Sequence, residues 1–352
     1  MAKRKARLGN LANRDPVIAG VAIEHLIGEV DAGEGAVLVV DDDTDLVAEA
    51  LTAEGVELRR WNRRALDGRR ALPWPEAGEV AAAVVRLGRD WPSFDFALHA
   101  VASRIKTGGK LWVYGANDEG IRSAPRRIAE AFFTEPETVH LKRRARVLEC
   151  VRNDVNEGLK LSFDDFRTSS DVTLPLGGSS FNVSLASYPG AFARGRLDSG
   201  TEILLRGLEE LKPRKQVLDF CAGVGVVGVW AKRRWPEAEL SLLEVDAPSL
   251  EAAKQNLPDA KSYLSDAWKN LPKSERYDAI VSNPPIHRGT EEDMGVLHEL
   301  VQGAAAHLTV SGVLVCVVQK SVGAGTLFND TFKNSRVLLE TNAFQVWCGS
   351  KR

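Results

Sequence analysis

From Gln216 onward, apolar and polar positions follow two alternating periods. QVLDF (Gln216 to Phe220), ELSLLEV (Glu239 to Val245), YDAIVSN (Tyr277 to Asn283) and GVLVCVVQK (Gly312 to Lys320) are short, nearly continuous apolar runs, the pattern of strands buried on both faces. Between them, VWAKRRW, APSLEAAKQNL and the stretch from Val296 to His307 have helical spacing, and Pro248 falls where a first helical turn tolerates it. Strands alternating with helices predict a mostly parallel sheet covered on both faces. The end of the chain breaks that pattern. RVLLET and FQVWCGSK are separated only by Asn342 and Ala343, too little chain for a crossover, so the last strand is predicted to run antiparallel.

The first half repeats the order. GAVLVVDD (Gly35 to Asp42) predicts a strand and VAEALTAEG a helix. FDFALHA (Phe94 to Ala100) and GKLWVYGA (Gly109 to Ala116) predict strands matching YDAIVSN and GVLVCVV, and TVHLKRRARVLEC predicts a terminal antiparallel pair. The match is one of order and spacing, which implies an internal duplication. Between the copies, TLPLGGSSFNVSLAS places Gly-Gly-Ser-Ser between two alternating runs and predicts a hairpin. The expected organisation is α/β: a first domain over 1–150, a linker with a β-hairpin over 151–189, and a second domain over 190–352. The copies part where chemistry would sit. After its first strand the early copy has DDDTD where the late copy has CAGVGVVG, and it has no Asn-Pro-Pro, so the first domain reads as a non-catalytic relative.

Composition narrows this only a little. The 352 residues include 46 Lys and Arg against 48 Asp and Glu, a net charge of -2, which excludes a protein that coats nucleic acid by bulk charge. Local basic runs remain, KRKAR (Lys3 to Arg7) and KRRAR (Lys142 to Arg146), read first as a solvated tail and a solvated strand edge. Cys150, Cys221, Cys316 and Cys348 form no CxxC pair and lie in or beside apolar runs, the usage of reduced core thiols. With no apolar leader and no run of membrane-spanning length, a soluble cytoplasmic protein is expected. His298 and His307 carry no metal-ligand spacing, and no metal is expected.

The candidate chemistry lies in the second copy. GVGVVG, Gly223 to Gly228, fits G-x-G-x-x-G after a strand, with Glu244 about twenty residues on, so a nicotinamide dehydrogenase is one reading. Asp219, just before the loop, opposes it, since a carboxylate there would repel a pyrophosphate. A cofactor carrying an amino group and a sulfonium is better matched. S-adenosylmethionine would place its methionine end near Asp219 and its backbone-contacting parts at Gly223 and Gly225, with Glu244 accepting from the ribose hydroxyls. Asp266, in YLSDAW, falls at the end of the third strand, as an acceptor for the adenine amino group or as a helix N-cap.

VSNPPIHRG, Val281 to Gly289, then acquires a role. An exocyclic amine on a base is a poor nucleophile because its lone pair is delocalised. If the Asn283 side-chain oxygen and the Pro284 carbonyl each accept one N–H, the nitrogen is drawn toward tetrahedral geometry with its lone pair aimed at a methyl donor. Pro285 fixes the carbonyl direction. The bland alternative is a strand-terminating turn.

These residues resemble a known family. Asp219 with Gly223 and Gly225, Glu244, and NPPIH (Asn283 to His287) look like the motifs of class I amino-group methyltransferases. PGAFARGRLDSGTEILL (Pro189 to Leu205) is similar to the segment preceding the cofactor loop in ribosomal RNA guanine-N2 methyltransferases, those called methyltransferase C for the small subunit and methyltransferase G for the large one. GANDEGIRS (Gly115 to Ser123) is similar to a loop of their inactive N-terminal domain. The resemblance implies two tandem Rossmann-like methyltransferase domains, the first degenerate. Each has a mostly parallel seven-stranded sheet with an antiparallel C-terminal hairpin. It also implies S-adenosylmethionine as cofactor, methyl transfer to guanine N2 of a flipped-out ribosomal base, and an N-terminal domain that helps to dock RNA. By the same match Phe192, Asp198, Gly200 and Thr201 would line the cofactor cleft, and Cys221 would sit in its loop. Two positions depart from the family. Ile286 stands where Phe or Tyr usually stacks on the base, and Cys221-Ala222-Gly223 stands for the usual Gly-Cys-Gly. The alternatives are another amine substrate (adenine N6 or a protein glutamine), a cysteine nucleophile at Cys221, and a non-catalytic RNA-binding assembly factor.

Overall fold

The computed structural model describes residues 14–88, 90–191, 196–285 and 291–351. The basic run Lys3 to Arg7 and the candidate residues Phe192, Ile286 and His287 lie outside the described residues. The chain forms two compact units: Met1–Arg64 with Arg70–Phe166, and Arg167–Arg352 with Ala65–Arg69.

In the first unit the elements run α1 (Arg14–Leu26), β1 (Val37–Val40), α2 (Leu46–Ala53), β2 (Leu58–Trp61), β3 (Ala82–Arg86), α3 (Trp91–Ala102), β4 (Lys110–Ala116), α4 (Ala124–Glu130), β5 (Glu137–Lys142) and β6 (Ala145–Val151). Six strands pair in the order β2-β1-β3-β4-β6-β5, one fewer among the described residues than the seven expected of each copy. The first four are parallel, and β6 runs antiparallel to both β4 and β5. The segment Phe94 to Ala100, predicted as a strand, is helix α3. The Asp90 carboxylate accepts the Ser93 N–H at 3.0 Å as an N-cap, and Pro92 occupies the first turn. Phe94, Phe96, Ala97, Leu98, Ala100, Val101 and Ala102 are all buried. A helix buried almost all round shows no polar stripe, and its alternate aromatics imitate a strand. The strand that answers to YDAIVSN is β3, hidden by alanines, which favour strands poorly.

The second unit begins with the hairpin β7 (Thr168–Leu176) and β8 (Ser179–Ser187). Its two-residue turn uses Gly177 and Gly178 at φ 58° and 77°, left-handed values that suit a tight hairpin. The hairpin is more than a connector: Leu174 and Leu185 share one core with Leu204, Leu205 and Leu208, and Trp230 Nε1 donates to the Pro175 carbonyl at 2.6 Å. There follow α5 (Ser199–Leu208), β9 (Gln216–Phe220), α6 (Val226–Arg234), β10 (Glu239–Glu244), α7 (Ala247–Asn256), β11 (Lys261–Leu264), β12 (Tyr277–Ser282), α8 (Glu291–His307), β13 (Leu308–Gln319), α9 (Gly325–Thr331), β14 (Asn334–Glu340) and β15 (Phe344–Ser350). The seven-stranded sheet has the order β11-β10-β9-β12-β13-β15-β14, parallel but for β15, which runs antiparallel to β13 and β14.

The duplication survives in backbone conformation. Register places Val40 beside Val85 and Phe220 beside Ser282, so β1 and β3 answer to β9 and β12. After Val40 and Phe220 each chain leaves its strand through a left-handed residue, Asp41 (φ 52°) or Cys221 (φ 61°). Each enters its helix through another, Asp45 (φ 60°) or Gly225 (φ 84°). No residue of DDDTD matches CAGVG, yet the two loops have the same length and the same two reversals. The matching strand ends are occupied differently. Where the second unit has Asn283 after β12, the first has Arg86. Its guanidinium donates to both Glu119 oxygens (2.8 and 2.7 Å) and to Asp15 in the first turn of α1 (3.0 Å).

Truncating Arg86→Ala removes the cation that bridges Glu119 and Asp15, leaving Glu119 only the longer contact to Arg14 at 3.4 Å and Asp15 partly exposed. We expect the first unit to lose about 2 kcal/mol, read as a loss of amide-exchange protection across β1, β3 and β4. Protection equal to that of the parent protein would refute the assignment of this pair as a structural lock.

Candidate functional site

The strand order reverses at β9, whose neighbours are β10 and β12, and in open α/β sheets ligands bind at such a switch point, off the carboxyl ends of the strands. Asp219, Glu244 and Asn283 lie at or next to the ends of these three strands.

Asp219 is 2% exposed, and its Oδ2 accepts the Gly228 N–H at 2.9 Å. Gly228 belongs to the first turn of α6, so a strand carboxylate satisfies one of the helix's unpaired donors. Burial pushes the Asp219 carboxyl up to about 7, with the Gly228 N–H opposing and Glu244 adding to the shift. Glu244 ends β10. Its Oε2 accepts from Gly223 N–H at 2.8 Å, and its Oε1 from the N–H groups of Val245 and Asp246 at 2.9 and 3.0 Å. Burial raises this carboxyl too, against the pull of those backbone donors. Among the described residues no cation neutralises either group.

The loop between them is built of close approaches on one side and open space on the other. A Cβ on Gly228 would stand 2.7 Å from Leu257 Cδ1, and one on Gly225 would touch Ala253 at 3.4 Å. At Gly223, φ +55°, a Cβ would meet nothing within 4 Å, so the loop turns bare backbone toward open space. Cys221 carries a left-handed φ that favours glycine. Burial and the charges of Glu244 and Asp219 push its thiol well above the usual range. A thiol kept protonated is no nucleophile, which counts against the cysteine-attack alternative.

Such a site, with two buried carboxylates lacking cations and a glycine backbone facing open space, fits a ligand that brings its own donors and positive charge. It does not fit a pyrophosphate.

Asn283 is half-buried. Its Nδ2 donates to Asp198 Oδ2 at 3.0 Å and to Thr201 Oγ1 at 2.9 Å. Its Oδ1 accepts no hydrogen bond among the described residues. Asp198 also N-caps α5, Oδ2 accepting the Thr201 N–H at 3.0 Å. Gly200 makes the approach possible, since a Cβ there would lie 3.0 Å from Asp198 Oδ2 and 3.3 Å from Asn283 Oδ1. Pro284 is buried and Pro285 exposed. The structure thus brings Asp198, Gly200, Thr201 and Asn283 together as one cluster, and Asp219, Cys221, Gly223 and Glu244 as another.

Asp266 stands apart. Its carboxylate accepts the Asp67 N–H at 3.1 Å and pairs with Lys269 Nζ at 2.5 Å, within the unit that includes Ala65–Arg69. The N-cap reading of Asp266 does not hold: the local turn is closed by Ser265, whose Oγ accepts the Asn270 N–H at 2.9 Å. His307 stacks on Trp268 with ring centroids 4.9 Å apart and bonds the Glu275 carbonyl, and burial lowers its pKa; it is a core histidine.

Two positioning residues escaped the sequence reading. Ser282 Oγ donates to the Phe220 carbonyl at 2.7 Å and ties the ends of β12 and β9 together. Asn256, at the end of α7, donates through Nδ2 to Val224 O (2.8 Å) and Ala186 O (3.0 Å), and its Oδ1 accepts the Ala186 N–H, anchoring the glycine loop to β8. A serine beside NPP and an asparagine at a helix end carry no local signal of such long-range bonds.

Comparison with known proteins adds three findings. A family model, the methyltransferase small domain, matches residues 182–348. The "Ribosomal RNA small subunit methyltransferase C" of Pseudomonas paraeruginosa is 31% identical over 312 residues, covering 86% of this chain and 90% of the relative. The protein of that name from Hahella chejuensis is 27% identical over 339 residues, covering 89% and 93%. Among solved structures, the T. thermophilus 16S rRNA N2 G1207 methyltransferase, in complex with AdoMet and guanosine, superposes with a TM-score of 0.81 at 23% identity, over 96% of this chain and 92% of that one.

The raised carboxyl of Asp219 has a consequence for stability. A carboxyl whose folded pKa lies above its unfolded value stabilises the fold fully below the unfolded pKa. That stability is lost as pH rises through about 7. A shift from the ordinary 3.8 corresponds to on the order of 4 kcal/mol. Asp219→Asn keeps an acceptor for Gly228 and removes the charge. The ligand-free variant should melt several degrees above the parent at pH 8 and match it near pH 4. Parallel Tm-versus-pH curves would show that Asp219 carries no such burden.

Proposed function

This chain belongs to the ribosomal RNA small subunit methyltransferase C family, and on that premise we propose that its second unit transfers a methyl group from S-adenosylmethionine to the exocyclic N2 of a guanine in small-subunit ribosomal RNA. The observation that carries the reading is Asn283, at a strand end of the switch point, with its amide nitrogen engaged by Asp198 and Thr201 and its oxygen left to accept.

When bound, S-adenosylmethionine supplies an electrophilic methyl group. The residues that would hold it are acceptors suited to its donors: Asp219 for the amino-acid end, Glu244 for the ribose hydroxyls and, by resemblance, Asp266 for the adenine amino group through Oδ1, since its Oδ2 already takes Asp67 and Lys269. The backbone at Gly223 and Gly225 permits close approach. Phe192 and Cys221 complete the candidate wall by resemblance. The Asn283 Oδ1 and the Pro284 carbonyl then each accept one N–H of the guanine amine. That steers its lone pair out of conjugation and stabilises the positive charge that grows on nitrogen as the N–CH3 bond forms and the S–CH3 bond breaks to a neutral thioether. One N–H proton is then lost to solvent, leaving neutral N2-methylguanine. Pro285 stiffens the carbonyl, and Ile286 offers the base an apolar contact without an aromatic face.

The remaining assignments follow from the same premise. The first domain, expected over 1–150, serves RNA docking. Arg143 and Arg144, at the turn between β5 and β6, are exposed and suited to phosphate contact. The substrate is ribosomal RNA or the assembled small ribosomal particle, and the enzyme acts in the cytoplasm. No described helix is long and apolar enough to cross a membrane.

The test is to incubate the protein with radiolabelled S-adenosylmethionine and unmodified small-subunit RNA or ribosomal particles, digest to nucleosides and identify the labelled one. Label is expected in N2-methylguanosine. Asn283→Ala should lower the rate by two orders of magnitude or more, roughly the scale of a lost transition-state acceptor, while cofactor affinity stays close to that of the parent. Full activity in the variant, or label in another nucleoside, would overturn the mechanism.

A further inference from the structure

We propose that Asp198 and Thr201 are positioning residues that hold the Asn283 amide in a single orientation, nitrogen inward and Oδ1 toward the substrate amine. The proposal rests on the guanine-N2 reading and assigns these two residues a task beyond lining the cofactor cleft.

An amide side chain has two nearly isosteric ends with opposite chemistry, and only the oxygen can accept from an amine. A free asparagine at a strand end would present both. Here the two groups facing Nδ2 are a carboxylate oxygen at 3.0 Å and a hydroxyl oxygen at 2.9 Å. The carboxylate can only accept. The Thr201 hydroxyl lies a long 3.5 Å from the same Asp198 Oδ2, so the carboxylate, which has no proton to offer, is the group that selects the nitrogen end of the amide. Rotating the amide by half a turn would set Oδ1 against a negative oxygen and break both bonds. Gly200 makes this close arrangement possible, because a Cβ there would lie 3.0 Å from Asp198 Oδ2 and 3.3 Å from Asn283 Oδ1.

The duplicated first unit is an internal comparison. At its corresponding strand end, Arg86 reaches Asp15 in the first turn of α1, so a strand end joined to a helix N-terminus recurs. There the junction is closed by an ion pair to Asp15 and Glu119. In the second unit the same junction is made by an amide with one end bonded and the other left over. A purely structural junction has no need of that leftover acceptor.

The test separates orientation from folding and from cofactor binding. Thr201→Val removes one acceptor at constant shape, and Asp198→Ser keeps a helix cap but is too short to reach Asn283. Each is expected to lower kcat by about tenfold or more, beyond any change in Kd for S-adenosylmethionine, with KM for RNA changed by less than about twofold. Thr201→Ser, which restores the hydroxyl, should recover most of the rate. Independently of turnover, the Asn283 side-chain amide protons, followed by NMR after selective 15N-asparagine labelling, should exchange slowly in the parent and faster in Thr201→Val. A parent protein that transfers no methyl group to guanine sinks the functional premise, whatever the amide exchange shows. An active parent with unaltered kcat in both Thr201→Val and Asp198→Ser sinks this proposal alone, as does a loss confined to cofactor Kd. If a variant fails to fold, the parent's amide exchange decides: protons exchanging as fast as those of a solvated asparagine overturn the lock.

Discussion

Handing a chain from a buried parallel strand to the helix that covers it, within five residues, requires two reversals of backbone hand, and both halves of this protein meet that demand in the same way. Asp41 and Cys221 make the first reversal, Asp45 and Gly225 the second. Each reversal by a residue with a side chain costs roughly 1 kcal/mol, which the second unit avoids only at Gly225. What distinguishes the units is the middle of the loop. Gly223 adds a third left-handed residue, and its N–H turns to the Glu244 carboxylate. That extra reversal swings bare backbone toward open space, and glycine makes it without the roughly 1 kcal/mol that a side chain at φ +55° would cost.

From this shared frame the copies use their polar positions in opposite ways. In the first unit every acid near the loop is answered from within. The Arg63 N–H bonds to Asp41, Arg64 pairs with Asp43 at 2.5 Å, and Asp42 takes the Ala48 N–H, the Thr44 hydroxyl and the Tyr114 hydroxyl. Asn62 stands at the strand end that corresponds to Glu244, so the acceptor has lost its charge. In the second unit Asp219 and Glu244 are buried with backbone donors but no cation. An uncompensated buried carboxylate is a standing cost, retained where a ligand with complementary charge can offset it.

Much of this was legible in the residues. The alternation of apolar runs with helical stretches placed every strand of the second sheet except β11, which was inferred only from where Asp266 falls, and the two-residue link Asn342-Ala343 gave the antiparallel end. The misreadings share one cause. Phe94, Phe96 and Leu98 alternate like strand residues because α3 is buried on nearly all sides, and β3, AAVVR, opens on two alanines of weak strand preference; in both cases tertiary burial, invisible locally, overrode the periodic signal. The candidate residues were legible as types, since acids after strands and Asn-Pro-Pro announce chemistry. Their partners were not. Asn283 to Asp198 spans 85 positions, and Asn256 to Ala186 spans 70. Hydrogen bonds over such separations leave no spacing to read.

The sharpest economy in the site concerns one atom. Asp198 Oδ2 receives the Thr201 N–H, the Thr201 hydroxyl and the Asn283 Nδ2. The first of these starts helix α5, whose Leu204, Leu205 and Leu208 are fully buried in the unit's main core. The orientation of a candidate catalytic amide is therefore fixed to the point at which a core helix begins, and α5 cannot shift along its axis without moving Asn283. A side chain held to within a fraction of an ångström needs support that is itself immobile. Here the support is the packing of three leucines, transmitted through a single carboxylate oxygen.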